Sequence, residues 1–145
     1  MKAWRVYGIG DMRLDDIPVP AVKPGWVLIK VKVLQPSVTE VAILRGMDVA
    51  GSGNLGKIVE EKGPLQWLGH EFCGEIVEVG EGVRNVKVGD RVFFPRVLPC
   101  HNCAACRAGH EEYCHTFLPV GMGIPGCLAE YLTLPADQVA SVPES

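Results

Sequence analysis

GEIVEVGEGVRNVKVGDRV occupies residues 74–92 and reads as strand, reversal and strand. Apolar and polar residues alternate in its first part, as on a half-buried strand, and Gly80, Gly82 and Gly89 supply the backbone freedom that tight reversals use. Working outward, KAWRVY, MRLDDI, WVLIKVKVL, DRVFFP and AEYLTL are further short apolar or alternating runs, set between Pro- and Gly-rich turns such as VPAVKPG and GMGIPG. WVLIKVKVL alternates, with Val27, Ile29, Val31 and Val33 on one side and Leu28, Lys30 and Lys32 largely on the other. The pattern predicts a mainly β (α+β) fold, a small, partly open β-barrel with few short helices. SVTEVAILRG is the best helix candidate. Val38, Val41 and Leu44 recur at helical spacing, Ser37 is placed to cap the start and Gly46 to end it.

At 145 residues the chain is long enough for one well-buried core and too short for two ordinary domains. A hydrophobic fraction of 48% and a charged fraction of 21% describe an ordinary globular protein, not a disordered one. With a net charge of -3 and its Lys and Arg scattered, the chain has no basic stripe to hold a phosphate backbone, which argues against nucleic acid as a partner. No stretch approaches the roughly 18 apolar residues of a membrane span, and MKAWRVYGIG lacks the apolar core of a signal peptide. The expectation is a cytoplasmic protein with no membrane partner, and in that reducing compartment a tight cysteine cluster points to a metal.

Four of the six cysteines lie in CHNCAACRAGHEEYC, as Cys100, Cys103, Cys106 and Cys114, with spacing C-x2-C-x2-C-x7-C. Two-residue gaps turn consecutive thiolates toward one centre, and a later fourth cysteine closes a tetrahedral shell around Zn2+. Such a shell has no open position, so its role is structural. The same spacing leaves two disulfides or an iron-sulfur cluster as alternatives. His101, His110 and His115 sit among the cysteines and read as exposed polar loop residues, because four thiolates already fill the shell. Cys73 and Cys127 stand alone and read as small apolar packing residues.

Residues 46–68, GMDVAGSGNLGKIVEEKGPLQWL, show little regular pattern. Gly51, Gly53 and Gly56 spell G-x-G-x-x-G, and Glu71 lies twenty residues beyond the first glycine. No apolar strand precedes them and no convincing helix follows, so a flexible surface loop is the better reading than a dinucleotide site. Loops of this length often cover active sites.

Taken in order, GHEFCGEIVEVG, VKVGDRV, the four-cysteine lobe and GCLAEYLTLPADQV resemble the N-terminal, GroES-like catalytic domain of the zinc-containing medium-chain alcohol and polyol dehydrogenases. The resemblance covers nearly the whole chain, and implies a domain over residues 1–145 with a structural zinc in a lobe at about 95–118. It implies a second, catalytic zinc in the cleft toward a Rossmann domain, absent from this chain, that binds NAD or NADP. His70 falls on the histidine of the family's G-H-E motif and Glu71 on its acidic neighbour, the possible ligands of that catalytic zinc. The family's first catalytic ligand, usually cysteine, falls on Thr39, a neutral hydroxyl that is a poor zinc ligand. The proton-relay position falls on Val41 or Ala42. Glu40 is the nearby carboxylate able to substitute if it turns inward, or else a solvent-facing helix residue. The implied reaction is hydride transfer between a small alcohol, polyol or carbonyl substrate and the nicotinamide, in a homodimer or homotetramer. Trp67 and its neighbours are expected to line the substrate pocket. A zinc-independent reductase of the same superfamily and a non-catalytic, zinc-stabilised binding module are the alternatives.

Overall fold

A computed structural model describes residues 1–49, 54–94, 98–116 and 120–143. Strands β1 (Lys2–Gly8) and β2 (Asp11–Asp16) pair antiparallel as a two-stranded sheet. Strands β3 (Trp26–Leu34), β4 (Phe72–Val79), β5 (Arg91–Phe93), β6 (Tyr131–Pro135) and β7 (Ala140–Ser141) form a five-stranded sheet in the order β6-β3-β4-β5-β7. Three short helices accompany them: α1 (Val38–Leu44), α2 (Leu55–Lys62) and α3 (Ala104–Arg107).

The larger sheet must roll. Pro135 ends β6 at one edge and Ala140 begins β7 at the other. Five extended residues reach at most about 18 Å, whereas four strand gaps of a flat sheet span about 19 Å, and residues 136–138 are wound into a 3-10 turn instead of extended. No hydrogen-bonded ladder joins the two edges among the described residues, so the rolled sheet stays open, as expected. The small sheet is tied to it through the Ala3–Ala129 bridge and the Trp4 amide, which donates to the Leu128 carbonyl at 2.8 Å.

Two apolar clusters fill the interior. Inside the roll lie Val27, Ile29, Phe72, Ile76, Val92, Leu132 and Leu134. Between β1, α1 and α2 lie Val6, Ile43, Leu55, Val59, Leu68 and Leu128. Gly74 on β4 faces β3 at close quarters: a Cβ there would stand 2.7 Å from the Lys30 carbonyl oxygen. The reversal glycines divide their work, since Gly82 and Gly89 have positive φ while Gly80 lets the backbone pass close to the Trp26 carbonyl.

Three sequence expectations change. The alternation of β3 breaks after Val31: the register jumps from Val31–Gly74 to Val33–Cys73, so Lys32 is an extra residue, and the bulge turns Val33 outward to 67% exposure. Helix α1 forms with Ser37 as its cap, but its buried residues are Glu40 and Ile43, while Val38 is 80% exposed and Val41 is also exposed. The stretch read as a loop holds α2, whose Leu55 and Val59, one turn apart, anchor it against β1. Gly56 lies within α2, and Gly51 and Gly53 lie outside the described residues.

Candidate active site and metal centre

Ser37 and Glu40 close a capping box at the start of α1. The Thr39 amide donates to Ser37 Oγ at 3.2 Å, and the Ser37 amide donates to Glu40 Oε2 at 2.7 Å. Ser37 Oγ also donates to Glu40 Oε2, at 2.5 Å. The other carboxylate oxygen leaves the helix: Oε1 accepts from the Gly69 amide at 3.2 Å and lies 2.9 Å from His70 Nδ1. Glu40 is 4% exposed and is the sole buried charged side chain among the described residues. Of the two alternatives read from the sequence, Glu40 takes the inward one and not the solvent-facing one, and these donors offset the cost of burying its charge. Burial alone raises the Glu40 pKa, but the hydrogen bonds from Ser37 and the nearby His70 outweigh it and hold the carboxyl below its ordinary value.

His70 arrives on a tight turn. Leu68 and Gly69 both have positive φ, at 76° and 83°, an uncommon conformation for leucine that the surroundings must hold. The Leu68 amide donates to the Gly121 carbonyl at 2.6 Å, and the Cys127 amide to that of Gly69 at 2.9 Å. Gln66 and Gly126 exchange two further bonds, each of 3.0 Å. A Cβ on Gly126 would lie 2.6 Å from the Leu68 carbonyl carbon, so only glycine allows this approach. On the far side of the ring, Glu71 Oε1 stands 3.5 Å from His70 Nε2, with both side chains partly open to solvent.

Glu40, His70 and Glu71 thus come together, whereas Thr39 meets Ser37 through its amide and it is Glu40 whose side chain reaches His70. Sequence reasoning missed Ser37 as a neighbour of this corner; the S-x-x-E spacing of a capping box was the available signal. It also missed the Gly126–Cys127 segment that clamps the turn. Cys127 is fully buried, as expected, and its thiol is pushed up to about 12, first by burial. Cys73 is exposed, contrary to the expectation that it packs, because the β3 bulge leaves its neighbour Val33 facing outward.

The sulfurs of Cys100, Cys103, Cys106 and Cys114 all lie within 4.8 Å of one another. Cys103 and Cys106 are 3.4 Å apart and Cys100 and Cys106 3.9 Å. Four sulfurs about 2.3 Å from a tetrahedral zinc would be about 3.8 Å apart, so the set fits that ion. Backbone amides already point at the sulfurs: those of Cys103 and Asn102 donate to Cys100 Sγ at 3.2 and 3.4 Å, and that of Cys100 to Cys114 Sγ at 3.3 Å. The Thr116 hydroxyl and then the Asn102 and Cys103 amides pull the Cys100 thiol down to about 5, while desolvation and the neighbouring thiols push Cys106 up to about 12. Ionising all four together calls for a cation between them. His101 and His110 turn instead to Glu111 and Glu112, at 3.0 and 3.4 Å.

A family model described as the alcohol dehydrogenase GroES-like domain matches residues 23–144. The chain belongs to this family. L-Threonine 3-dehydrogenase of Legionella pneumophila is 40% identical over 133 residues, which are 91% of this chain and 36% of that protein. The enzyme of that name from Francisella tularensis subsp. novicida is 36% identical over 137 residues, covering 94% of the chain and 36% of the relative. The chain therefore spans little more than a third of these relatives' length. Among solved structures, a zinc-binding dehydrogenase of Sinorhizobium meliloti bound to NADP superposes with a TM-score of 0.81 at 29% identity, over 98% of this chain and 38% of that one. Galactitol-1-phosphate dehydrogenase from Escherichia coli gives 0.79 at 26% identity, over 99% and 38%. The GroES-like fold expected for this member is thus confirmed, with its sheets open. Among the described residues no helix is long and apolar enough to cross a membrane.

Proposed function

We propose that residues 1–145 are the catalytic domain of a cytoplasmic NAD(P)-dependent dehydrogenase that transfers hydride between a small alcohol, polyol or sugar and the nicotinamide. The observation that carries this reading is the corner at His70, whose partly exposed imidazole is fixed through Nδ1 by buried Glu40 and has Nε2 beside Glu71. The relatives support it, because the proteins that the chain matches over about a third of their length are dehydrogenases. In this reading a Rossmann domain outside the described chain supplies NAD or NADP, and the full protein is a homodimer or homotetramer.

Cys100, Cys103, Cys106 and Cys114 would hold a structural zinc whose contribution is to order the lobe, where α3 and the 3-10 turn at Glu111–Tyr113 bring little apolar surface of their own. At His70 the donor set is shorter. Catalytic zinc takes three protein ligands, and among the described residues of this chain, which spans little more than a third of its relatives' length, His70 and Glu71 are two. Both Glu40 oxygens are already occupied by Ser37, Gly69 and His70. This favours, as a second reading, a zinc-independent oxidoreductase of the same superfamily. A non-catalytic binding module is the third reading.

The test is nicotinamide-coupled turnover by the intact protein with a panel of alcohols, polyols and 2-amino-3-hydroxy acids, the last suggested by the threonine dehydrogenase relatives. Turnover that His70→Ala lowers supports the dehydrogenase reading. No turnover with any of them sinks it in favour of the binding module.

A further inference from the structure

The donor set around His70 and the direction of its two nitrogens lead to one conclusion beyond the dehydrogenase reading, on which it rests. We propose that His70 works without a metal ion, as the group that takes the proton from the substrate hydroxyl, with Glu40 as its positioning residue.

The metal argument is one of commitments. Glu40 could become a ligand only by releasing the Ser37 amide and hydroxyl, which would uncap α1, or the Gly69 amide and His70, which would leave a buried backbone donor unpaired. Thr39 offers a neutral hydroxyl, and Val41 and Ala42 offer no donor. Cys127, behind the turn, is fully buried with its Sγ 3.7 Å from the Glu71 carbonyl oxygen. Among the described residues, the four-cysteine lobe is the sole set of three or more metal-ligating groups whose donor atoms converge.

The same contacts suit proton transfer. A carboxylate only accepts, so Glu40 at 2.9 Å fixes the hydrogen of the neutral imidazole on Nδ1 and leaves the Nε2 lone pair facing outward. Glu71 at 3.5 Å from Nε2 is at the limit of a hydrogen bond, leaving that nitrogen open to a substrate oxygen. In alcohol oxidation the carbinol C–H bond breaks and its electron pair passes with the hydrogen to C4 of NAD(P)+. The O–H proton passes to Nε2 and the C=O bond forms. The substrate is oxidised, the nicotinamide is reduced, and the imidazolium, held between two carboxylates, releases its proton to solvent. Reduction of a carbonyl runs the same steps backwards.

The test pairs metal content with turnover in the intact protein. One zinc per chain is expected in the wild type, unchanged in His70→Ala. Turnover should fall about 10²- to 10⁴-fold in His70→Ala, as for loss of a general base, and recover in part with added imidazole. Glu40→Gln should lower kcat more than it raises KM. Two zincs in the wild type would overturn the proposal while leaving the dehydrogenase reading intact, and that count needs no variant to fold. His70→Ala turnover equal to wild type would also overturn it. Absence of nicotinamide-coupled turnover in the wild type would remove the dehydrogenase reading and this proposal together.

Discussion

Glu40 Oε1 and His70 Nδ1 lie 2.9 Å apart although thirty residues separate them in sequence, and the same carboxylate closes the capping box of α1. One side chain therefore joins a helix start to the turn that presents the candidate catalytic imidazole. Glu40→Ala would leave the buried Gly69 amide and the partly buried donors of Ser37 and His70 without their acceptor. The expected cost is about 2–4 kcal/mol, measured as a drop in urea midpoint with unchanged slope.

The same carboxyl sets a pH dependence. Its folded value lies below the ordinary 4.5, because the Ser37 bonds and His70 overcome the opposing effect of burial. A lowered folded value stabilises fully above the unfolded value and is lost as pH falls through the folded one. Melting curves from neutral pH down to about pH 3 should show wild type losing stability below pH 4.5 more steeply than Glu40→Gln. Parallel curves would show that Glu40 is not held below its ordinary range.

Gly126→Ala tests the clamp on the His70 turn. A Cβ at this position meets the Leu68 carbonyl carbon at 2.6 Å and the Gly69 carbonyl oxygen at 2.8 Å, both backbone atoms that cannot swing away. The expected loss is about 2–3 kcal/mol, together with exchange broadening of the Leu68, Gly69 and His70 amide signals.

Helix α2 is held by two buried side chains. Leu55→Ala should cost about 2–5 kcal/mol, by thermal melting, and open the α2 amides to hydrogen exchange before those of β3 and β4, because Leu55 belongs to the cluster of Val6, Ile43 and Leu128 and not to the rolled sheet.

Strands β1 to β6 were legible in the sequence because a half-buried antiparallel strand writes its burial as alternation, and 74–92 carries that signal with its glycines, whereas the two residues of β7 are too few to show a period. Helix α2 was not: LGKIVEEK buries only Leu55 and Val59, a short stripe behind a run of glycines. The bulge at Lys32 was not legible either, since an extra residue is visible only against its partner strand. The four sulfurs were read from spacing alone because nearby cysteines converge through local turns. The destination of Glu40 was hidden, because S-x-x-E announces a helix start and says nothing of the turn at Leu68–Gly69 that packs against it. Assigning the ligand position to Thr39 followed linear alignment, whereas the residue that meets His70 depends on how α1 is capped.

Metal removal separates the lobe from the sheet. A chelator strong enough to strip zinc, or Cys114→Ser, should release the amides of residues 100–116 to fast exchange while β3 and β4 stay protected, since the rolled core is built from Val27, Ile29 and Ile76 rather than from the thiols. Retained protection in the lobe would mean that apolar packing holds it.

The most direct test of the whole account is zinc K-edge X-ray absorption on the intact protein. The account predicts a first shell of sulfur alone, with Zn–S near about 2.3 Å, from Cys100, Cys103, Cys106 and Cys114. A mixed shell, with nitrogen and oxygen scatterers at about 2.0–2.2 Å, would place zinc at His70 as well and contradict a metal-free imidazole there.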